Sequence, residues 1–395
     1  MKIAILHPSL DVNGGAERQV LKLAEGLQKN GHYITIYVSK LDIEKCYPDL
    51  IKNLNIVECG GPGYQNIKKM ILFSPYYMKK MAKNVLNSGI NYDIINCHNY
   101  PTIYAAWQIK KNINKPIIWM CNEPPFPPLY KGENLSKSVY SLMYKIIISP
   151  FLLYNYYITK KIDQILVLDQ MNIFRIKKTY HIEPKIIHTG LDFPTNIDNS
   201  SSEREKNKFV ILTTGRIDKG KRTEDTLYAL TKLKEIIPNI YLKIAGSGKE
   251  LEKMKKISRK LNLDNYVKFY GLVSDQKMQE LYSTCDIFLF TAENQSWGLV
   301  PLEAMSYGKP TIVSTGAGVA SVLEDKKKCL KISPRDVQSI VKNVILLNEN
   351  KYLANQIAQN GKNFVKNNFS WNNYITENEK IFYDELKKYH SQKVI

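Results

Sequence analysis

Cysteine and histidine are sparse in this sequence, with six of each. The 395 residues include six cysteines, widely separated and mostly set in apolar runs, with no Cys-x-x-Cys pair. This spacing is not that of a disulfide framework or a zinc site, and it predicts buried thiols in a reducing cytoplasm. No cluster with metal-ligand spacing is recognisable, so we expect neither a bound metal nor a cofactor.

Long hydrophobic runs are also missing. No uninterrupted apolar run reaches the ~18 residues that a membrane-spanning helix needs. The opening residues 1–6, MKIAIL, read as a short first strand that is too brief for the core of a signal peptide. The sequence therefore predicts a cytoplasmic protein without a transmembrane helix.

Acidic residues are under-represented relative to basic ones. Lysine and arginine total 56 against 37 aspartates and glutamates, a formal net charge of +19. Such a balance predicts an acidic partner, for which nucleic acid, nucleotide substrates and anionic lipid all qualify. No zinc-finger, recognition-helix or RNA-binding signature is present, so we expect no nucleic-acid partner.

One apolar segment predicts a contact with an anionic membrane. Residues 138–157 carry six aromatics and lead into Lys160 and Lys161. Basic residues also lie beside apolar ones in 67–73 and 76–81. The segment is too short to span a bilayer but suits an interface, which would make the protein peripheral on the cytoplasmic face of a membrane. Ordinary core helices with snorkelling lysines explain the pattern equally well.

What the sequence does contain is a regular alternation of apolar strand-like runs with helical patterns. This alternation predicts an α/β protein with parallel sheets covered on both faces, arranged as two Rossmann-like domains facing each other across a cleft. We expect a first domain over 1–192, a polar linker over 193–208, a second domain over 209–370 and a terminal helix over 371–395.

The most specific motif lies between a predicted strand over 286–291 and a predicted helix over 299–307. Gly298, with Ser296 and Trp297 before it, opens a tight loop, and Gly308 and Pro310 stop the helix. The N–H groups of Gly298, Leu299 and Val300 would point out of the helix start, where a diphosphate is favoured. Glu303, one turn later, could reach the hydroxyls of a ribose. The motif predicts a sugar-nucleotide site.

Basic and glycine residues follow other predicted strands of the second domain. Gly215, Arg216 and Lys221 come after the strand 209–214, at the edge where ligands collect in such sheets. A merely basic, solvated loop is the competing interpretation. Gly246 follows the next strand and would let backbone approach a ligand closely, although a plain turn explains it equally well.

The first domain offers weaker signals. Gly14 and Gly15 lie between a strand and a helix but do not form the Gly-x-Gly-x-x-Gly fingerprint, which argues against a nicotinamide enzyme. His98 ends an apolar strand, where a histidine taken alone is more often structural. Glu123 precedes a proline-rich loop and could touch an acceptor, but a structural turn is the better interpretation.

These motifs together resemble the retaining glycosyltransferases of family 4, members of the GT-B superfold. Residues 293–310 resemble the glutamate-x7-glutamate signature, with Gln295 in place of the first glutamate. Residues 13–18, NGGAER, resemble the opening of mannosyltransferases of lipid-linked oligosaccharide assembly, and residues 93–98 resemble a second family element. The resemblance implies that Arg216 and Lys221 bind the donor diphosphate. It also implies that the donor lies near Gly14, Gly15 and Gly246 and that its base lies near Val273. His98 and Gln295 would position the sugar.

The implied reaction moves a hexose such as mannose from a nucleoside diphosphate sugar to a glycan or lipid-linked acceptor, with retention at the anomeric carbon. In the family the departing diphosphate accepts the proton of the acceptor, which requires no metal. One further departure is that 316–321, GAGVAS, lacks the glutamate common in that family loop. A nucleotide-sugar epimerase of the same fold and a non-catalytic, sugar-nucleotide-binding partner subunit stay open as alternatives.

Overall fold

A computed structural model describes residues 1–64, 73–125, 150–194 and 207–393. These residues form two compact units, one of Met1–Gly190 with Trp371–Ile395 and one of Leu191–Ser370. Most of the predicted linker, 195–206, lies outside the described residues, as do 138–149 of the predicted interfacial segment.

Unit 1 is built on a seven-stranded parallel sheet with strand order β3-β2-β1-β4-β5-β6-β7. The central strands β1 and β4 are buried along nearly their whole length, as parallel strands covered on both faces must be. The strands are β1 (Lys2–His7), β2 (Tyr33–Val38), β3 (Ile56–Glu58), β4 (Ile94–His98), β5 (Ile117–Met120), β6 (Gln164–Val167) and β7 (Lys185–Ile186).

Helices cover both faces of this sheet. Those of unit 1 within the described ranges are α1 (Gly15–Lys29), α2 (Pro48–Ile51), α3 (Ser74–Leu86), α4 (Ile103–Ile113), α5 (150–159), α6 (Gln170–Tyr180) and α13 (Trp371–Lys393). Helices α3, α4, α5 and α6 share one apolar core, to which Ala4 and Leu6 of β1 also belong. Helix α13 instead packs on α1, where a Cβ at Gly26 would lie 2.1 Å from Cδ1 of Ile375.

Unit 2 repeats the architecture with a six-stranded parallel sheet of order β10-β9-β8-β11-β12-β13. The strands are β8 (Phe209–Thr214), β9 (Ile240–Ala245), β10 (Val267–Gly271), β11 (Ile287–Phe290), β12 (Thr311–Ser314) and β13 (Leu330–Ile332). The α-helices of its described residues are α7 (Thr223–Ile236), α8 (Leu251–Lys260), α9 (Asp275–Thr284), α10 (Val300–Ser306), α11 (Val337–Glu349) and α12 (Lys351–Asn368).

The predicted fold class, an α/β protein with two Rossmann-like domains, is confirmed by these sheets. All six cysteines are reduced and buried, as their apolar surroundings predicted. Burial raises the pKa of the Cys285 thiol to about 12, so this thiol stays protonated. Among the described residues, no helix combines the length and apolar character needed to cross a bilayer.

Candidate functional site

An open pocket lies in unit 2, where β8, β9 and β11 end. Because parallel strands present their carboxyl ends at one edge, the loops after β8 and β11 meet there although they are far apart in sequence. The space in and at the mouth of the pocket amounts to about 260 Å³, part of which is open to solvent. It is lined by Thr213, Thr214, Gly215, Arg216, Ile217, Lys221, Thr223, Ile244, Ala245 and Phe290.

Lys221 and Gln295 form the central polar contact of this site. Nζ of Lys221 donates a hydrogen bond of 2.7 Å to Oε1 of Gln295, and it lies 5.1 Å from the ring centroid of Phe290. Burial lowers the pKa of Lys221 to about 8. Since its partner is a neutral amide, this hydrogen bond does not cancel the charge of the lysine.

Arg216 lies at the rim of the pocket and is about two-thirds exposed. Its Nε donates a 2.8 Å hydrogen bond to Oδ2 of Asp218, and 67% of its side chain is accessible. Asp218 also accepts from the backbone N–H of Gly220 at 3.1 Å, which caps a short 3₁₀ turn over Lys219–Lys221. This turn places the side chains of Arg216 and Lys221 in the lining of the same pocket.

The loop before α10 is held by the segment that lacks the family glutamate. The backbone N–H of Gln295 donates to the carbonyl of Gly316, and that of Gly318 donates to the carbonyl of Gln295, both at 3.0 Å. This pairing fixes the backbone of Gln295 and gives 316–318 a structural role. Gly298 has φ +102°, a conformation that favours glycine, and a Cβ there would lie 3.1 Å from Cε1 of Phe290.

The remaining residues predicted in this motif are placed at the start of α10 or in the core beneath it. Ser296 and Trp297 are buried, and the Trp297 ring packs 6.0 Å from that of Phe369. Leu299 and Val300 are half-buried where the helix begins. Helix α10 begins one residue later and ends one residue earlier than predicted, at Val300 and Ser306.

Glu303 is connected to the pocket by a tyrosine that the sequence analysis did not identify. The hydroxyl of Tyr282 donates to Oε2 of Glu303 at 2.8 Å and lies 3.2 Å from Oγ1 of Thr214, a pocket residue. Tyr282 is buried, and its pKa is raised well above the usual value by burial and by the Glu303 carboxylate. Tyr307 stacks on it with ring centroids 5.3 Å apart. No sequence signal singled out Tyr282, because an aromatic in helix α9 is most simply a core residue.

Gly246 has a structural requirement that is independent of any ligand. Its φ is +137°, and a Cβ there would lie 1.9 Å from the carbonyl oxygen of Gly215. The turns after β8 and β9 are therefore packed backbone against backbone. Val273, two residues beyond β10, is half-buried.

In unit 1, the predicted glycine pair forms the start of α1. Gly14 is the N-cap residue and Gly15 the first helical residue. The Glu17 carboxylate lies against Gly14, where a Cβ would come within 2.1 Å of Oε2. Burial, with a smaller contribution from the nearby Asp11 charge, raises the pKa of Glu17 to about 7. The glycine at 14 therefore makes room for this carboxyl group, and the predicted donor contact stays a prediction.

His98 ends β4, and its side chain is fully buried. Its Nε2 lies 2.7 Å from Oδ1 of Asn96, and burial lowers its pKa to about 3, so the imidazole is neutral. Its buried Nδ1 has no hydrogen-bond partner among the described residues. The role toward the transferred sugar stays a prediction, as does any acceptor contact by Glu123, which is exposed.

Comparison with known proteins covers nearly the whole chain. The model of glycosyltransferase family 4 matches residues 13–193, and that of glycosyl transferases group 1 matches residues 195–364. An uncharacterized glycosyltransferase of Methanocaldococcus jannaschii is 24% identical over 403 residues, covering 97% of this chain and 98% of the relative. Human alpha-1,3/1,6-mannosyltransferase ALG2 is 26% identical over 356 residues, covering 81% of each chain.

Solved structures share the fold. The crystal structure of Anabaena HepE in complex with UDP superposes with a TM-score of 0.78 at 17% identity, covering 97% of this chain and 100% of HepE. Sucrose-phosphate synthase of Thermosynechococcus elongatus also reaches a TM-score of 0.78 at 17% identity, over 97% and 98% of the two chains. Together with the two family models and the two parallel sheets, these matches show that the chain belongs to glycosyltransferase family 4, as a hexosyltransferase of the GT-B fold.

Proposed function

We propose that this hexosyltransferase takes its sugar, mannose in the first instance, from a nucleoside diphosphate sugar and transfers it with retention to a glycan or lipid-linked acceptor. The observation that carries the proposal is the Lys221 site, a half-buried ammonium group at the carboxyl edge of a parallel sheet whose hydrogen-bond partner is an amide. A half-buried cation beside a neutral partner suits a ligand that brings negative charge.

The donor diphosphate would bind between Lys221 and Arg216, which line one pocket. Charge-assisted hydrogen bonds contribute about 1.5–3 kcal/mol each. Glu303 would accept from the ribose hydroxyls, oriented by the hydrogen bond from Tyr282. Solved relatives of the same fold hold UDP or UDP-glucose, and a curated relative is a mannosyltransferase, which supports a nucleotide-sugar donor.

In the proposed reaction the bond between the anomeric carbon and the phosphate oxygen breaks, and the acceptor oxygen bonds to that carbon on the same face. The acceptor proton passes to an oxygen of the departing diphosphate, so protons and charge balance without a protein base. Lys221 and Arg216 would stabilise the charge that grows on the diphosphate. A lipid-linked acceptor would place this chemistry at the cytoplasmic face of a membrane.

The proposal is tested by donor binding followed by turnover. A panel of GDP-mannose, UDP-glucose and UDP-N-acetylglucosamine is screened by thermal shift, since a ligand at about 100 times its Kd stabilises a protein by ~2.7 kcal/mol. We expect one donor to bind and to release free nucleoside diphosphate only when an acceptor glycan is added, with the α-anomer of the donor sugar preserved in the product.

Other outcomes separate the alternatives. A change in the donor sugar without diphosphate release would identify an epimerase, and binding without turnover on any acceptor would identify a non-catalytic subunit. An inverted anomer in the product would refute retention.

A further inference from the structure

Charge is segregated between the two faces of unit 1. Helices α3, α4, α5 and α6, which share the core on one face of the sheet, contain no aspartate or glutamate within their described ranges. Helices α1 and α13, which pack together, carry Glu17, Glu25, Glu377, Glu379, Asp384 and Glu385. Within unit 1, the helices on this face therefore carry lysine and arginine without carboxylates among them, and they are termed here the basic layer.

The basic layer also exposes large apolar side chains, which is unusual beside so much charge. Leu153 on α5 is 68% exposed and Phe174 on α6 is 61% exposed. Tyr76 on α3 is 68% exposed, and Tyr157 on α5 is 52% exposed. Leu152, by contrast, is half-buried and turns partly toward the core.

Lysines and aromatic rings alternate across this layer in close pairs. Four lysine Nζ atoms lie 5.0–6.0 Å from ring centroids, as the cation–π pairs Lys111 with Trp107 (5.2 Å), Lys160 with Tyr156 (5.5 Å), Lys161 with Tyr157 (5.5 Å) and Lys178 with Phe174 (5.8 Å). Ring stacking joins the helices into one surface, because Tyr154 stacks on Tyr104 of α4 and Tyr156 stacks on Tyr180 of α6.

Among the described residues next to these helices, Asp163 and Glu183 are each paired with a lysine of the basic layer, whereas Asp169, the N-cap residue of α6, is buried. Asp163 accepts from Lys110, and Glu183 pairs with Lys177, each at 2.5 Å. These pairs occupy two lysines and leave Lys111, Lys160, Lys161 and Lys178 over aromatic rings, where their charge is retained. The layer thus presents positive charge mixed with apolar and aromatic groups.

We infer that the basic layer of unit 1 docks on an anionic lipid bilayer. Lysines attract the charged headgroups, while tyrosine, tryptophan and protruding apolar side chains favour the boundary between headgroups and acyl chains. A nucleic acid would match the charge but not Leu153 and Phe174. The inference deepens the proposed function by naming the surface that meets a membrane-borne acceptor, and its test needs neither donor nor acceptor.

The test is sedimentation of the full chain with vesicles of phosphatidylcholine, with and without phosphatidylglycerol. The charge variant removes three lysines of the basic layer through Lys111→Gln, Lys161→Gln and Lys178→Gln. Its matched control removes the same charge from α1 and α13 through Lys29→Gln, Lys380→Gln and Lys387→Gln. The apolar variant Leu153→Ser, Phe174→Ser is compared with Ile236→Ser, Tyr352→Ser, at exposed sites of unit 2. Thermal unfolding checks that each variant is folded.

We expect the parent to bind the anionic vesicles far more tightly than the neutral ones, and the charge variant to bind the anionic vesicles roughly 10²-fold more weakly while its control stays within about threefold. At about 1 M salt the Debye length falls to ~3 Å, so the attraction between lysines and headgroups is largely screened and the binding that remains comes from apolar contacts. This salt-resistant binding should be lost in the apolar variant and kept in its control. Equal weakening by the two charge variants would show a net-charge effect and overturn the inference. If binding is lost completely at high salt and is unchanged by Leu153→Ser, Phe174→Ser, the layer is a general polyanion-binding surface. That result would also overturn the inference. Neither result alters the donor assay.

Discussion

The titration of Lys221 provides a sharp test of the donor site. Burial holds the pKa of this lysine near 8, below its usual value of 10.5. The protonated form, which we expect to bind the diphosphate, therefore predominates below pH 8 and is lost as the pH rises through that value. Gln295 accepts a hydrogen bond from this lysine but contributes no charge.

The size of the effect follows from the fraction of protonated lysine. One pH unit above a pKa of about 8, about one tenth of the enzyme carries the charge, so kcat/KM at pH 9 should be about tenfold below its plateau. Lys221→Arg keeps the charge at all these pH values and should remove this alkaline limb. Gln295→Glu would place a carboxylate close to Nζ of Lys221. The pKa of the lysine should then rise by about 1–3, and the fall in kcat/KM should move to higher pH.

The same Gln295→Glu change should lower activity on the enzyme's own donor, because the new carboxylate would neutralise the charge meant for the diphosphate. The assay is kcat/KM for donor between pH 6 and about 10, since this parameter reports the free enzyme. Lys219→Ala, at an exposed position in the same turn, is the control and should keep the parent profile. If the fall in kcat/KM at alkaline pH is unchanged in Lys221→Arg, Lys221 is not the titrating group and the assignment is refuted. If Gln295→Glu is more active on the same substrates, the amide of Gln295 does not serve donor specificity.

Four further outcomes are expected. Lys221→Ala and Arg216→Ala should each reduce turnover by on the order of 10²-fold, since each removes charge stabilisation that grows toward the transition state, and turnover within twofold of the parent would contradict this. Glu303→Gln should mainly weaken nucleotide affinity in a calorimetric titration, and Tyr282→Phe should weaken it less. A large loss of turnover at unchanged affinity in Glu303→Gln would instead assign Glu303 a role in the chemical step. Activity should survive EDTA, and complete loss restored by magnesium or manganese would overturn the metal-free mechanism. Gly246→Ala should destabilise unit 2 by about 2 kcal/mol or more in thermal unfolding, because the new Cβ would meet the Gly215 carbonyl. Gly308→Ala should cost less despite its positive φ, because its Cβ would make only an ordinary contact, 3.6 Å from Cδ of Lys362.

The sequence alone determined the fold class and the family. The strand Phe209–Thr214 was predicted at its observed bounds, because a parallel strand covered on both faces is largely apolar between polar turns. The glycine loop at 298 and its helix were likewise readable, because their capping residues are local. Helix termini differed by one residue, since end residues contribute few hydrogen bonds.

The contacts within the site were decided by the tertiary structure alone. Lys221 and Gln295 are 74 residues apart, and they meet because β8 and β11 are neighbours in the sheet, which no local pattern specifies. Tyr282 could not be recognised for the same reason, since its hydrogen bond to Glu303 joins two helices that flank β11. The burial that lowers the pKa of Lys221, and the gathering of lysines and aromatic rings on one face of unit 1, depend on which helices share a layer. Local sequence specifies the elements, whereas long-range packing sets the distances and the dielectric environment in which their side chains act.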